Sequence, residues 1–197
     1  MKLRKGSQNA TGLRFGIIVA KFNKFVTGKL LSACVEELTE RGVHADDIEV
    51  VRVPGAFELP LVARTMARTK QFHAVICLGA VIRGDTPHFD YISAEASRGI
   101  GQAALDADVP IIFGVLTTHT VAQAIERSEP AKFDRGGEAA RSAIEMARVM
   151  RLLRRVEEGT GFYVYGGTCS AAPQTGTVSK KKGASPQRSM EIPLWRC

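Results

Sequence analysis

The sequence predicts an α/β fold. Four short apolar runs rich in β-branched residues alternate with helical patterns, and each run is apolar on both faces, as strands buried in a parallel sheet are. The β-α-β-α alternation puts helices on both sides of that sheet. At 197 residues the chain has material for one well-buried core and falls short of two.

The first strand is expected at Phe15 to Ala20. The segment Val26 to Arg41 then carries apolar residues at Val26, Leu30, Leu31, Cys34, Val35 and Leu38, the spacing of one helix face. A second strand at Ile48 to Val53 leads to a helix over about Ala56 to Thr69, and a third at Ala74 to Ala80 leads to a helix from His88 to Ala107. The fourth strand, Ile111 to Leu116, is followed by helices at Val121 to Arg127 and Gly137 to Val156. This assigns the domain to residues 1–157. From 158 to 197 the composition turns to Gly, Ser, Thr, Pro and Lys, which predicts a disordered appendage. No repeat of solenoid or propeller period is present.

A hydrophobic fraction of 45% with 24% charged residues is that of an ordinary soluble globular protein. No apolar stretch has the length of a signal peptide or a membrane span, so neither export nor a membrane partner is expected. The four cysteines, Cys34, Cys77, Cys169 and Cys197, have no CxxC spacing and no histidine at metal-ligand intervals. That argues against a metal site or redox pair and for a reducing cytoplasm. The net charge of +7 owes part of its excess to Lys180, Lys181, Lys182, Arg188 and Arg196. It fits anionic substrates or a basic tail as well as it fits nucleic acid, which is not an expected partner.

In open parallel sheets ligands lie beyond the carboxyl ends of the strands, so the loops starting at Lys21, Pro54, Val81 and Thr117 are the places for chemistry. The most informative runs from Val81 to Tyr91. Thr86 is expected as helix N-cap with Pro87 in the first turn, leaving the backbone N–H groups of Gly84 to His88 facing the loop, an arrangement suited to phosphate. An ordinary capped helix start fits the same residues. Asp85 contributes only its N–H in this reading, with its carboxylate turned away. His88 follows on the first turn, where the helix dipole favours the neutral imidazole and a proton-shuttle role. A structural histidine is the alternative, and it is the reading for His44, His73 and His119.

Phe22, just past the first strand, can stack on a planar ring or merely cover the sheet end. Gly55 permits close backbone approach ahead of Glu58. Arg127 ends a helix; guanidinium matches phosphate oxygens, although many arginines there only complement the helix terminus. Together these residues describe a site for an anion, a planar ring and proton transfer at one sheet edge.

The run Gly79-Ala80-Val81-Ile82-Arg83-Gly84-Asp85-Thr86-Pro87-His88-Phe89-Asp90-Tyr91 closely resembles the signature of the lumazine synthase family, and Arg52-Val53-Pro54-Gly55-Ala56-Phe57-Glu58-Leu59-Pro60 resembles its second hallmark. Ala20-Lys21-Phe22-Asn23, Phe113-Gly114-Val115-Leu116-Thr117 and Gln123-Ala124-Ile125-Glu126-Arg127 match in order and spacing, so the resemblance covers about residues 12 to 155. It implies a three-layer α/β/α fold with a four-stranded parallel sheet in flavodoxin-like order 2-1-3-4. It also implies a cofactor-free transferase of riboflavin biosynthesis. This enzyme condenses 5-amino-6-(D-ribitylamino)uracil with 3,4-dihydroxy-2-butanone 4-phosphate to 6,7-dimethyl-8-ribityllumazine, phosphate and water.

By the same resemblance Phe22 and Asn23 belong to the pyrimidine pocket, with Phe22 stacking on the ring. The backbone of Ala56, Phe57 and Glu58 holds the ribityl chain, and Val81 and Ile82 meet the ring amides. Gly84, Asp85 and Thr86 bind the phosphate, Arg127 supplies its countercharge, and His88 transfers protons. Phe113 and Arg127 are implied to come from a neighbouring subunit, within pentamers or sixty-subunit shells, with riboflavin synthase as a further partner. Arg135 stands where the family commonly has lysine. The positive charge is kept, but a guanidinium stays protonated, so Arg135 is assigned to electrostatics beside Glu138. A non-catalytic flavin or lumazine carrier, and a shell or nucleic-acid packager acting through the basic tail, are the competing readings.

Overall fold

Four strands, β1 (Phe15–Ala20), β2 (Ile48–Val53), β3 (Ala74–Ile82) and β4 (Ile111–Thr118), form one all-parallel sheet in the order β2-β1-β3-β4. The structure is a computed structural model and describes Met1 and residues 3–159. The helices are α1 (Lys24–Glu40), α2 (Leu59–Arg68), α3 (His88–Ala107), α4 (Val121–Ser128) and α5 (Arg135–Gly159). The α/β class, the parallel sheet and its order are those expected. The appendage expected from 158 lies, beyond Gly159, outside the described residues.

The period of two along a strand produces the three layers. Ile17 and Val19 of β1, with Ile76 and Leu78 of β3, enter a core shared with Val26, Leu30 and Leu38 of α1 and Ile144 of α5. Ile18 of β1, with Val75 and Cys77 of β3, points the other way, into a core shared with Leu59 and Ala63 of α2 and Ile100 of α3. Each such aliphatic side chain, fully buried, contributes roughly 1.5–3 kcal/mol. The continuous apolar runs at β1 and β3 are thus two alternating sets, one for each helical layer.

Element boundaries shift where side chains intervene. Asn23 adopts a left-handed conformation (φ 55°, ψ 45°), turning the chain out of β1 so that α1 starts two residues before Val26. The helix expected from Ala56 divides into a 3-10 turn at Ala56–Glu58 and α2, because Pro60 has no amide hydrogen and suits only the first helical turn. β3 and β4 continue two residues beyond expectation, pairing Val81 with Thr117 and Ile82 with Thr118.

The start of α5 is anchored to α1. Asp134 accepts a hydrogen bond from the Gly137 N–H at 3.1 Å, and Arg141 bridges Asp134 (3.0 Å) and Glu37 of α1 (2.7 Å). A Cβ on Gly136 would lie 2.4 Å from the Leu30 carbonyl oxygen, so only glycine admits this approach of the two helices. No helix among the described residues is long and apolar enough to cross a membrane.

Gly136→Ala is expected to lower stability by about 1–3 kcal/mol through overpacking, read as a lower denaturant midpoint at unchanged slope. Burial, with Asp134 and Glu37 nearby, pushes the Cys34 thiol up to about 12, and complete burial pushes Cys77 up as well. At pH 8 only on the order of one Cys34 in 10⁴ is thiolate. A thiol-specific reagent should therefore leave both residues unmodified in the native protein and label both in strong denaturant, as mapped by peptide mass.

Candidate active site

A cleft of about 580 Å³ opens beyond the carboxyl ends of β1, β2 and β3. Phe22, Ala56 to Glu58, Val81, Ile82, Gly84, Thr86 and His88 line it, joined by Ala80, Phe89 and Ile92. The ladder between β1 and β2 continues past the strand ends: the Lys21 N–H donates to the Val53 carbonyl (2.8 Å) and the Phe22 N–H to the Pro54 carbonyl (3.0 Å). This sets the Phe22 ring, 71% exposed, against the Pro54–Glu58 turn. Phe57 on that turn is itself 56% exposed. Two solvent-facing phenylalanines on fixed backbone have no structural reward in a lone chain, since burying each would contribute roughly 1.5–3 kcal/mol.

Asn23 holds this wall without lining it. Its side-chain amide donates to the Ala80 carbonyl at 2.9 Å, tying the end of β1 to the end of β3. Glu58 accepts from the Gly55 N–H at 2.8 Å, closing the turn that faces the cleft.

The loop between β3 and α3 forms the opposite wall. The expected cap is corrected here: Pro87 (φ −68°, ψ 0°) holds the cap position, one residue after Thr86, and no side chain caps the helix. With proline as cap there is no side-chain oxygen to occupy the first turn. Among the described residues, no hydrogen bond uses the N–H of Gly84, Asp85 or Thr86. Gly84 and Thr86 face the cleft, whereas the exposed Asp85 is outside its lining. The loop is pinned at both ends. The Arg83 N–H donates to the Thr118 carbonyl (2.9 Å), and the Arg83 guanidinium pairs with Asp90 (2.5 Å) across the loop while lying 4.4 Å from the Phe89 ring centre. Phe89 in turn stacks on His119 at 6.3 Å. Sequence reasoning missed this brace, although a cation and a carboxylate seven residues apart, flanking a Gly-Asp-Thr-Pro loop, were a signal for it.

Phe113, Arg127 and Arg135 are not in this cleft. They line a separate cavity of about 330 Å³ along β4, with Glu138, Thr117 and Ser142. Arg127, half-buried, donates to the Gln123 carbonyl (3.4 Å) and lies 5.5 Å from the Phe133 ring centre, while Arg135 pairs with Glu138. One chain therefore carries an aromatic cleft with unpartnered amides and a histidine, and apart from it a cavity with two arginines and an exposed phenylalanine. Of the other histidines, His44 accepts from the Asp46 N–H, His73 from the Arg14 N–H, and His119 stacks on Phe89.

Fold and cleft together define a flavodoxin-like α/β protein with an aromatic cleft and unpartnered main-chain N–H groups at the carboxyl edge of its sheet. Residues 12–151 match the 6,7-dimethyl-8-ribityllumazine synthase family, and the chain belongs to that family. It is 49% identical over 153 residues to two Clostridium kluyveri proteins, each named 6,7-dimethyl-8-ribityllumazine synthase, a match covering 78% of this chain and 99% of each relative.

Asn23→Ala removes a bond across the sheet end and puts alanine in a left-handed conformation. A loss of about 2 kcal/mol is expected, seen as a lower melting temperature.

Proposed function

We propose that the cleft and the β4 cavity are the two halves of one active site, completed when the cleft of one subunit meets the Phe113–Arg127 face of its neighbour. The activity is that of a 6,7-dimethyl-8-ribityllumazine synthase, a transferase of riboflavin biosynthesis. Its substrates are 5-amino-6-(D-ribitylamino)uracil and 3,4-dihydroxy-2-butanone 4-phosphate. The observation that carries the shared site is the division itself: stacking ring and histidine on one wall, phosphate-matching guanidinium on another, within a single chain.

In this reading the pyrimidine lies on Phe22, its amides meet the Val81–Ile82 backbone, and the ribityl chain runs along Ala56, Phe57 and Glu58. Asn23 acts as a positioning residue through the Ala80 carbonyl. The phosphate sits on the N–H groups of Gly84, Asp85 and Thr86, with Arg127 of the neighbour opposite and Phe113 closing the cleft. Arg135, paired with Glu138, adds positive potential without exchanging a proton. The amine attacks the ketone carbon to give an imine with loss of water, phosphate leaves, and ring closure with loss of water completes the lumazine. Both reactants are intrinsically reactive, so holding amine against ketone can supply roughly 7–11 kcal/mol of the barrier. His88 relays protons between the nitrogen and the departing oxygens.

The reading extends to homo-oligomers, as pentamers or sixty-subunit shells, to riboflavin synthase as a partner, and to a cytoplasmic location. A pure carrier role is disfavoured by His88 beside the amide loop, since a carrier needs no proton relay.

His88→Ala should leave a slow but measurable enzyme, down by about 10²- to 10⁴-fold in kcat. Arg127→Ala should act mainly on KM for the sugar phosphate. Subunit mixing tests the shared site: at sugar phosphate well below the KM of the Arg127→Ala chain, co-refolding that chain with a Phe22→Ser, His88→Ala chain should give activity clearly above the sum of the two alone, followed by lumazine absorbance. Absence of recovery in verified mixed oligomers would refute a site built from two chains.

A further inference from the structure

The amino-terminal edge of the sheet, opposite the cleft, carries a second concentration of chemistry that the family's reaction does not use. A cavity of about 380 Å³ there has Lys70, His73, Arg151 and Arg154 in its lining. A neighbouring one of about 450 Å³ has Lys5, Ser7, Arg148 and Arg151. Arg151 belongs to both, and no aspartate or glutamate lines either.

The charges are assembled at a local cost. Arg148, Arg151 and Arg154 follow one another at i, i+3 spacing on α5, and like charges at that spacing each destabilise a helix slightly. The helix dipole favours cations only within the last turn, and α5 ends at Gly159, two turns beyond Arg151. Arg148 donates to the Asn9 (2.8 Å) and Thr11 (3.0 Å) carbonyls. Lys70 donates to the Ala107 carbonyl, which leaves its charge whole, and Arg154 reaches the largely exposed Asp108. Arg151 is exposed and has no hydrogen bond or ion pair among the described residues, and Lys5 is exposed.

His73 is set as a donor. The His73 main-chain N–H donates to the Arg14 carbonyl (2.8 Å) and its ring Nδ1 accepts from the Arg14 N–H (2.9 Å), so the neutral ring carries its proton on Nε2, the far edge. Burial, followed by Arg151, lowers its pKa, which registers the positive potential at this edge.

We propose that the two cavities form one binding site for an oligophosphate, an anion with two or more linked phosphate groups, with Arg151 at the junction of the subsites. Guanidinium is the side chain best matched to phosphate oxygens, and two adjoining basic cavities sharing one guanidinium suit a chain of phosphates better than a single one. Nucleic acid is the poorer fit because Phe72, the aromatic in the lining, is 6% exposed and offers no stacking face. The segment after Gly159 does not suit the site either: its five Lys and Arg against one Glu make it cationic.

The test is titration calorimetry of the full chain with sodium tripolyphosphate at fixed ionic strength. Saturable binding is expected, weakened about tenfold or more in Arg151→Gln and largely retained in Arg151→Lys, with lumazine formation unchanged in both. The His73 ring resonances should titrate at higher pH in the saturated protein, because an adjacent anion favours the imidazolium. Four results would each overturn the site: no binding, unaltered binding in Arg151→Gln, orthophosphate binding as tightly as tripolyphosphate, or loss of binding in a Lys180, Lys181, Lys182→Gln chain but not in Arg151→Gln. A single-stranded oligonucleotide binding more tightly than tripolyphosphate and depending on Arg151 would replace an oligophosphate with nucleic acid.

Discussion

The two central strands, β1 and β3, are buried on both faces, and most of the architecture follows from that constraint. Buried backbone must be hydrogen-bonded, which the parallel ladders accomplish, and side chains that alternate must be covered on both sides, which requires helices in two layers. Parallel strands then deliver their loops to one edge. The Phe22 loop, the Pro54–Glu58 turn and the Gly84–His88 loop come from three distant parts of the chain, yet adjacent strands in register bring them to one cleft. The cleft is a consequence of the core.

What was legible in the sequence divides along the range of the interactions. The strands were readable because continuous apolar runs have a local cause, and helix positions because amphipathic spacing does. The strand order was readable only through the resemblance of the loop motifs to a known family, whereas the loops that line the cleft followed from where the strands end. Side-chain contacts between distant positions were not. Asn23 looked like a pocket residue but bonds a carbonyl 57 positions away, and no local pattern encodes that partner. Thr86 looked like a cap because its type and spacing suit one, whereas the backbone of Pro87 takes that position. Arg127 was expected at the same edge as His88, and composition alone has no means of revealing that Arg127 of α4 and Phe113 of β4 line a different cavity.

The two edges of the sheet differ in what they present. At the carboxyl edge the ligand-facing groups are aromatic rings and main-chain N–H groups, with little formal charge in the lining beyond Glu58. At the amino edge the lining carries full cations, with Lys70 donating to the Ala107 carbonyl and Arg154 to the exposed Asp108. Rings and dipoles act at short range, whereas clustered cations act at longer range and weaken as ionic strength rises. The same scaffold thus presents two chemically different surfaces, at opposite ends of its strands.

The Arg83–Asp90 pair that spans the phosphate-type loop bears on when disorder is lost. Ordering a residue's backbone costs roughly 1–2 kcal/mol, so a slack loop of four residues would charge an arriving anion about 4–8 kcal/mol before any contact was made. Closing the loop with a guanidinium that also lies on Phe89 moves that entropy loss to the moment the chain folds. An anion at the proposed site would then meet a loop already tied at both ends, and less of that ordering would fall on its binding.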